Sequence, residues 1–327
     1  MTIEPKHTAG IGTAVQPKAT AQVRKRRSGK RRSGSLRRRE AWTGVLMALP
    51  WMLGFLLFTA GPMLFGLYAG MTRWDMISPP RWVGFQNFIR MFSGDDRHFY
   101  RSIGVTFRYV LMSAPLHVVL GFILASLLNM KITGTNFFRS MYYLPSILPV
   151  VASAVMWSWV FNPDFGLLNH GLSMLGIRGP GWLSSPDWAL PAMVIMNLHY
   201  IGPSMIILLA GLQRVPQELY EASQLDGANR WQILRHITFP MLSPVVFFII
   251  ITNINGSFQT FTQAFLMTNG GPRYATYFYM LHLYNEAWGA FRMGYASALA
   301  WVLFLIIVAF LAIHFRLGKL WVYQESD

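Results

Sequence analysis

The 327-residue sequence contains no cysteine, which excludes disulfides, thiolate metal sites and cysteine nucleophiles and leaves redox chemistry silent about compartment. Charge is scarce as well: 13% of residues are Asp, Glu, Lys or Arg, against 53% hydrophobic and 15% aromatic. There is no HExxH and no GxSxG. There is also no P-loop, because the two Gly-Lys pairs, Gly29-Lys30 and Gly318-Lys319, are not followed by Ser or Thr. The eight histidines are scattered, and His117 and His199, inside apolar runs, read as bonded packing residues rather than metal ligands. No enzyme chemistry and no nucleotide hydrolysis are expected from this chain, nor any resident cofactor. Any energy it uses has to come from a partner.

What the sequence has in abundance is long uncharged apolar stretches. Six of them stand out, Trp42 to Tyr68, Tyr109 to Met130, Phe137 to Phe161, Trp188 to Leu212, Met241 to Met267 and Tyr295 to Phe315; they contain no Asp, Glu, Lys or Arg apart from Arg139 near the start of the third. A hydrocarbon core about 30 Å thick needs about 20 such residues per helix. Their length and lack of period-two alternation exclude barrel strands. The expected class is therefore all-α integral membrane, with six transmembrane helices. Pro50, Pro62, Pro115, Pro145, Pro149, Pro191, Pro203 and Pro244 fall inside these runs and predict kinks, since neighbouring helices can satisfy the freed carbonyls.

The net charge of +15 is concentrated at one end, where the first 40 residues hold 12 Lys or Arg against Glu4 and Glu40. This low-complexity segment has too little apolar surface to offset ordering entropy, so residues 1–40 read as a disordered basic tail. Three roles compete for it, a nucleic-acid arm, a contact with anionic lipid and a topology determinant; the last is expected, with membrane lipid and no nucleic acid as partner. The first apolar run is too long for a signal-peptide core. By the positive-inside rule the tail places the N-terminus in the cytoplasm, six crossings return the C-terminus there, and Arg316 and Lys319 agree. The loop with Lys131 and Arg139 is then cytoplasmic. The loop "SPPRWVGFQNFIRMFSGDDRHFYRS" falls outside despite its basic residues, and the arginine density of the tail decides against it. The expected division is a tail at 1–40, a six-helix domain at 41–320 and a short C-terminal tail at 321–327.

One charged island interrupts the apolar pattern. Residues 214–240 include Arg214, Glu218, Glu221, Asp226, Arg230 and Arg235, and at roughly 2.5 to 3.5 kcal/mol per centred charge they cannot lie in the bilayer. Pro216 suits a first helical position, with Glu218 in the turn that favours a carboxylate. Asp226-Gly227 stops that helix, with Asp226 available to cap the next. A second helix carries Trp231, Leu234 and Ile237 on one face until Pro240 ends it. An amphipathic pair lying on the lipid surface is the competing reading.

Glu221, Ala222 and Ser223, then Gly227, then Ile237 and Pro240 have the spacing of the EAA coupling loop in permease subunits of bacterial ABC importers. "YEASQLDGANRWQILRHITFP" resembles the MalF-like sugar branch, with Ser223 where that pattern often has alanine and Phe239 where it often has leucine. "WVGFQNF" (Trp82 to Phe88) and "TNGGP" (Thr268 to Pro272) resemble further segments of the same branch in the same order, over roughly Trp42 to Lys319. The resemblance implies a MetI-like permease fold in a bacterial inner membrane. Its elbow would dock in a cytoplasmic ATPase, with Glu221 and Gly227 carrying coupling and Asp226, Ala222 and Trp231 in support. It also implies a second, MalG-like permease, two ATPase subunits that bind ATP and Mg, and an external solute-binding protein. The solute would be a sugar or sugar-like molecule, of the oligosaccharide, disaccharide, polyol or glycerol-phosphate class. The rival classes are a secondary transporter, a permease for a non-sugar solute, and a membrane enzyme.

The fifth run carries the densest polar set. Thr252, Asn255, Gln259 and Thr262 recur at helical spacing, Asn253 lies off that stripe, and Gly256 leaves room for close approach. Such neutral groups suit hydroxylated solutes, or they bond neighbouring helices at about 0.6 kcal/mol each; both readings stand. The resemblance tilts the choice toward substrate. Trp157, Trp159 and Tyr200 are candidate ring faces for sugar stacking. Gly66 and Gly70 form a GxxxG pair for which chance occurrence is the default.

Overall fold

Apolar length sets the architecture. The computed structural model of the chain describes residues 33–130 and 134–323. The basic tail as far as residue 32, Lys131 and the last four residues lie outside the described residues. The residues up to Ala60 form one unit and those from Gly61 another. The first unit is a helix, α1 (Ser33–Phe55), continued by a π-turn over Leu56–Ala60. It begins ahead of the boundary expected at residue 41.

The second unit holds α2 (Gly61–Gly70), a two-stranded ribbon of β1 (Thr72–Arg73) and β2 (Arg81–Trp82), α3 (Gln86–Phe92) and the long α4 (Phe99–Asn129). Then follow α5 (Thr135–Tyr143), α6 (Val150–Val160), α7 (Leu167–Met174), α8 (Pro186–Asn197) and α9 (Gly202–Arg214). The remainder is α10 (Gln217–Leu225), α11 (Arg230–Ile233), α12 (Phe239–Phe258), α13 (Thr262–Met267), α14 (Tyr279–Tyr284) and α15 (Met293–Trp321).

Four stretches, Ala41–Gly70, Phe99–Asn129, Arg230–Phe258 and Met293–Trp321, are long and apolar enough to cross a bilayer as single helices. The other two expected spans are bent pairs, so the total is six when each pair counts as one crossing. Thr135–Ile147 meets Val150–Val160 at 101°, and Pro186–Tyr200 meets Gly202–Arg214 at 53°. Both breaks sit where the sequence puts proline. Pro149 takes an extended conformation at the first break, and Pro203 opens the helix after the second.

α4 and α12 run antiparallel. Ala125 and Leu128 at the end of α4 pack on Leu242, Val246 and Ile249 at the start of α12, with Met205, Leu208 and Leu209 of α9 completing the cluster. At the opposite end Val110 and Ala114 meet Ile254 and Phe258, together with Tyr295, Ala298 and Leu299 of α15. Close approach depends on small residues: a Cβ at Gly211 would come within 2.6 Å of Leu242, and one at Gly70 within 3.2 Å of the Ala298 backbone. The Gly66/Gly70 pair thus faces α15 within the same chain.

The loop between the first two spans is held by the sequence "WVGFQNF". Gly84 turns the chain at φ +59, and the Asn87 amide donates to the carbonyls of Gly70 (2.8 Å) and Thr72 (2.9 Å). Beyond α3, Asp96 is buried and ties three elements together. His282 of α14 donates from Nε2 at 2.7 Å and the Tyr295 hydroxyl of α15 at 2.6 Å, while the amides of His98 and Phe99 point at its other oxygen. Burial opposes ionisation of this carboxyl, but the hydrogen bonds from His282 and Tyr295 prevail and hold it well below the usual carboxylate range. A depressed folded pKa means that Asp96 stabilises the fold above its ordinary value of 3.8 and that this contribution fades as pH falls below it. Asp96→Ala is expected to destabilise the protein by about 3 kcal/mol at neutral pH, because it strands His282 and Tyr295. Thermal unfolding in detergent should show that gap, and show it narrowing below pH 3.8.

Candidate functional site

The charged island forms two helical arms joined by a tight elbow. Pro216 is the residue just outside α10, one position earlier than expected, which is the ordinary spread of a helix end. At the other end Gly227 adopts φ +77; its amide bonds to Gln224 O (3.1 Å) and the Ala228 amide reaches back to Ser223 O (2.9 Å). This is the Schellman closure, which calls for glycine because a left-handed backbone crowds any Cβ. Asp226 does not cap the second arm, as expected from the sequence; it closes the first. The cap is Asn229, whose Oδ1 accepts from the Gln232 amide (2.9 Å) while Gln232 Oε1 accepts from the Asn229 amide (2.8 Å).

Nor does Pro240 end the second arm. α11 runs through a π-turn at Leu234–Thr238 straight into α12, and Pro240 lies in the first turn of that helix. Proline has no amide hydrogen to give, and the π-turn just before it is where the ladder adjusts. The arms are clasped by a 3.2 Å hydrogen bond between the Tyr220 and Thr238 hydroxyls.

Glu221 is exposed on the first arm and accepts from the Gln217 amide at 2.7 Å, with Ala222 exposed beside it. The Ser223 hydroxyl turns back to Tyr220 O (2.8 Å). The expected Trp231, Leu234 and Ile237 stripe divides: Leu234 and Ile237 are half-buried, whereas Trp231 is 68% exposed. Leu225, at 90% exposed, projects from the end of the first arm. Sequence periodicity missed Leu225, and its place just before the Asp-Gly stop was the available signal.

A second constellation lies between helices. A cavity of about 300 Å³ receives His117 from α4, Asn197, Tyr200 and Ser204 from the α8–α9 bend, and Thr252, Asn253, Gly256 and Ser257 from α12. Thr260, at the break after α12, and Gln263 of α13 complete it. No Asp, Glu, Lys or Arg lines it. His117 Nε2 and Ser204 Oγ are 3.1 Å apart, and Asn197 donates to Ser113 Oγ. The Tyr200 hydroxyl is buried with no hydrogen-bond partner among the described residues.

The fifth-run stripe is only partly realised. α12 stops at Phe258 and α13 starts at Thr262, so Thr262 does not share a helical face with Thr252, Asn255 and Gln259. Asn255 and Gln259 are exposed outside the cavity and bond each other at 2.9 Å. Thr252 returns its hydroxyl to the Ile249 carbonyl at 3.0 Å. Trp157 packs elsewhere, against Phe161 at 5.0 Å and edge-on to His199 at 6.2 Å, and Trp159 is exposed. His117 was not grouped with Asn197 and Ser204, because it lies in another run and no sequence periodicity links the two runs.

Residues 117–320 match the protein family described as the binding-protein-dependent transport system inner membrane component. The chain belongs to this family. It is 38% identical over 293 residues to the "Probable ABC transporter permease protein YesP" of Bacillus subtilis, covering 88% of this chain and 94% of that protein. It is 32% identical to the trehalose/maltose transport system permease protein MalF of Thermococcus litoralis, over 88% of this chain and 97% of that one. Among solved structures, a bacterial ABC transporter involved in import of the acidic polysaccharide alginate superposes with a TM-score of 0.74. That match covers 87% of this chain and 98% of the other at 22% identity, a likeness of fold. The chain is thus an ABC transporter permease of the MalF-like type, embedded in a membrane.

In this permease the space around Gly227 is open, since a Cβ there meets nothing within 4 Å. A substitution therefore acts through backbone conformation alone. Gly227→Val should cost about 1–2 kcal/mol locally and shift the elbow, whereas Gly227→Asn, which tolerates a left-handed backbone, should keep it. Limited proteolysis of the loop in membrane vesicles should separate the two variants, with Val cleaved faster and Asn close to wild type.

Proposed function

We propose that this permease moves a sugar or sugar-like solute across a bacterial inner membrane, with the elbow at residues 214–240 docked on a cytoplasmic ATPase. The observation that carries the reading is the elbow itself: a rigid turn with Glu221 at its side and two large apolar side chains, Leu225 and Trp231, held out without cover among the described residues. Large apolar anchors supply most of the energy of a protein interface, and a lipid-lying pair would instead keep its apolar residues on one face. Both termini lie in the cytoplasm on this reading. The partners are a second, MalG-like permease, two ATPase subunits that bind ATP and Mg, and an external solute-binding protein. Translocation is this subunit's part, and hydrolysis is theirs.

The sugar reading draws on the names of relatives, a trehalose/maltose permease among them, and on the chemistry of the cavity. Its lining of amides, hydroxyls and one imidazole offers donors and acceptors without fixed charge, which suits solute hydroxyl groups. Tyr200, Thr252, Asn253 and Gly256 line the cavity and are the path residues we favour, whereas Asn255, Gln259, Thr262 and Trp157 fall outside its lining. A secondary transporter would usually need acidic or basic groups at this depth.

Two experiments test the two halves of the proposal in vesicles holding the assembled transporter. Leu225→Asp with Trp231→Asp should leave insertion intact and abolish ATP-driven uptake; undiminished uptake would refute docking through the elbow. Tyr200→Phe with Asn253→Ala should cut uptake by about tenfold, the effect of losing about 1.4 kcal/mol of polar contact, while the binding-protein-independent ATPase rate stays unchanged. Normal uptake would reduce those residues to helix packing.

A further inference from the structure

A larger cavity, about 720 Å³, opens at the end of the bundle opposite the elbow, where α4 and α15 begin and α12 ends. Four guanidinium groups line it from four separate segments: Arg73 of β1, Arg81 of β2, Arg90 of α3 and Arg292 just before α15. Arg73 and Arg81 are direct cross-strand partners in the ribbon. Like charges placed opposite one another destabilise a strand pair, so the fold holds a repulsive contact here.

The ribbon cannot relax it by swinging away. Asn87 grips the carbonyl of Thr72, the Gly294 amide donates to Trp74 O at 3.1 Å, and a Cβ at Gly294 would overlap the Thr72 carbonyl. Protein carboxylates do not relieve it either. Among the described residues only Arg292 makes an ion pair, with Glu286 at 3.2 Å. Arg90 lies 4.9 Å over the Tyr295 ring, and the carboxylate behind that ring, Asp96, is taken up by His282 and Tyr295. Arg73, Arg81 and Arg90 are left facing the cavity with forked donors that match a carboxylate in two-point contact.

The remaining lining selects among anions. Asp75, Asp95 and Gln86 line the same cavity. Asp75 is fixed by the Ser78 hydroxyl and amide, which hold its carboxyl below the usual range. An acidic protein loop would be drawn to the arginines and repelled by both aspartates. A polyhydroxylated acid uses both kinds of group, its carboxylate on the guanidiniums and its hydroxyls donating to Asp75 and Asp95. The volume lies within the usual range for small-molecule sites. We infer that this cavity recognises the carboxylate-bearing residue of an acidic saccharide, a uronic-acid unit, at the mouth of the permease. The inference rests on the sugar-import reading and narrows its substrate class.

The full-length chain in lipid nanodiscs, without ATP, tests it by calorimetric titration and thermal unfolding, with digalacturonate as probe and maltose as the neutral control. Digalacturonate should bind and raise the unfolding temperature, and maltose should do neither at this site. Arg73→Gln with Arg81→Gln should weaken digalacturonate binding at least about tenfold. The same pair should leave the ligand-free unfolding temperature unchanged or higher, since it removes repulsion; a packing role would lower it. Absence of digalacturonate binding, equal binding of maltose, or unaltered affinity in the double variant would overturn the inference. Should the double variant instead keep digalacturonate affinity and lose capture of the purified solute-binding protein, the cavity is a protein-docking surface and the saccharide assignment fails. ATP-free binding does not involve the elbow, so failure here leaves the import mechanism standing, and failed coupling in the elbow variants leaves this site standing.

Discussion

Exclusion of charge from the hydrocarbon layer governs this structure. Every backbone polar group in that layer must be satisfied within a helix or by a neighbour, and every ionised side chain there costs several kcal/mol. The chain obeys both demands by keeping its runs free of Asp, Glu, Lys and Arg except for Arg139 near one run's start, and by gathering its chemistry at the ends and at the breaks between helices. The breaks are where the middle of the bundle gains polar character. The 53° bend after Tyr200 frees a turn of backbone and directs Asn197, Tyr200 and Ser204 toward α12.

The continuity from α11 into α12 gives the elbow mechanical meaning. Arg230 to Phe258 is one helical body, with a π-turn but no loop between the exposed Trp231 and the cavity residues Thr252, Asn253 and Gly256. A force on the elbow acts on a helix whose far end forms a wall of the polar cavity. The first arm is fastened to that body by the closure at Gly227, the Asn229 cap and the Tyr220–Thr238 hydrogen bond. Stiffness in the loop therefore comes from local hydrogen bonds, whereas stiffness in the span comes from apolar packing on α4, α9 and α15.

Much of this was legible in the sequence because the signals are local. Uncharged length marks a span, and Asp-Gly marks a helix stop. Asn87 in "WVGFQNF" and Gly270 in "TNGGP", at φ +84, prove to be a tether and a turn. What was misread depends on contacts that spacing cannot see. Pro240 resembles a stop until the π-turn before it is known. Thr262 shares a helical period with Thr252 only if the helix continues, and it does not. Asp226 and Asn229 are equally good caps on paper, and the Schellman closure decides between them by consuming the residues up to Ala228. His117 and Ser204 are 87 residues apart, and no periodicity links them.

On the proposed function, the same exclusion of charge divides recognition between two places. A neutral cavity among helices can distinguish solutes by shape and hydroxyl pattern, but it cannot favour a carboxylate, since a guanidinium at that depth would carry the full insertion cost. A preference for charge has to be exercised where water reaches, in the loops that bracket the spans. The arginines of the ribbon, of α3 and of the segment before α15 are in such loops, and the Asp96 network fixes their floor from beneath by joining the start of α4 to α14 and α15. That network also spends the Asp96 carboxylate on His282 and Tyr295, so Asp96 forms no ion pair with Arg90. Tyr295 stands between: its hydroxyl is spent on Asp96, and its ring face supports Arg90.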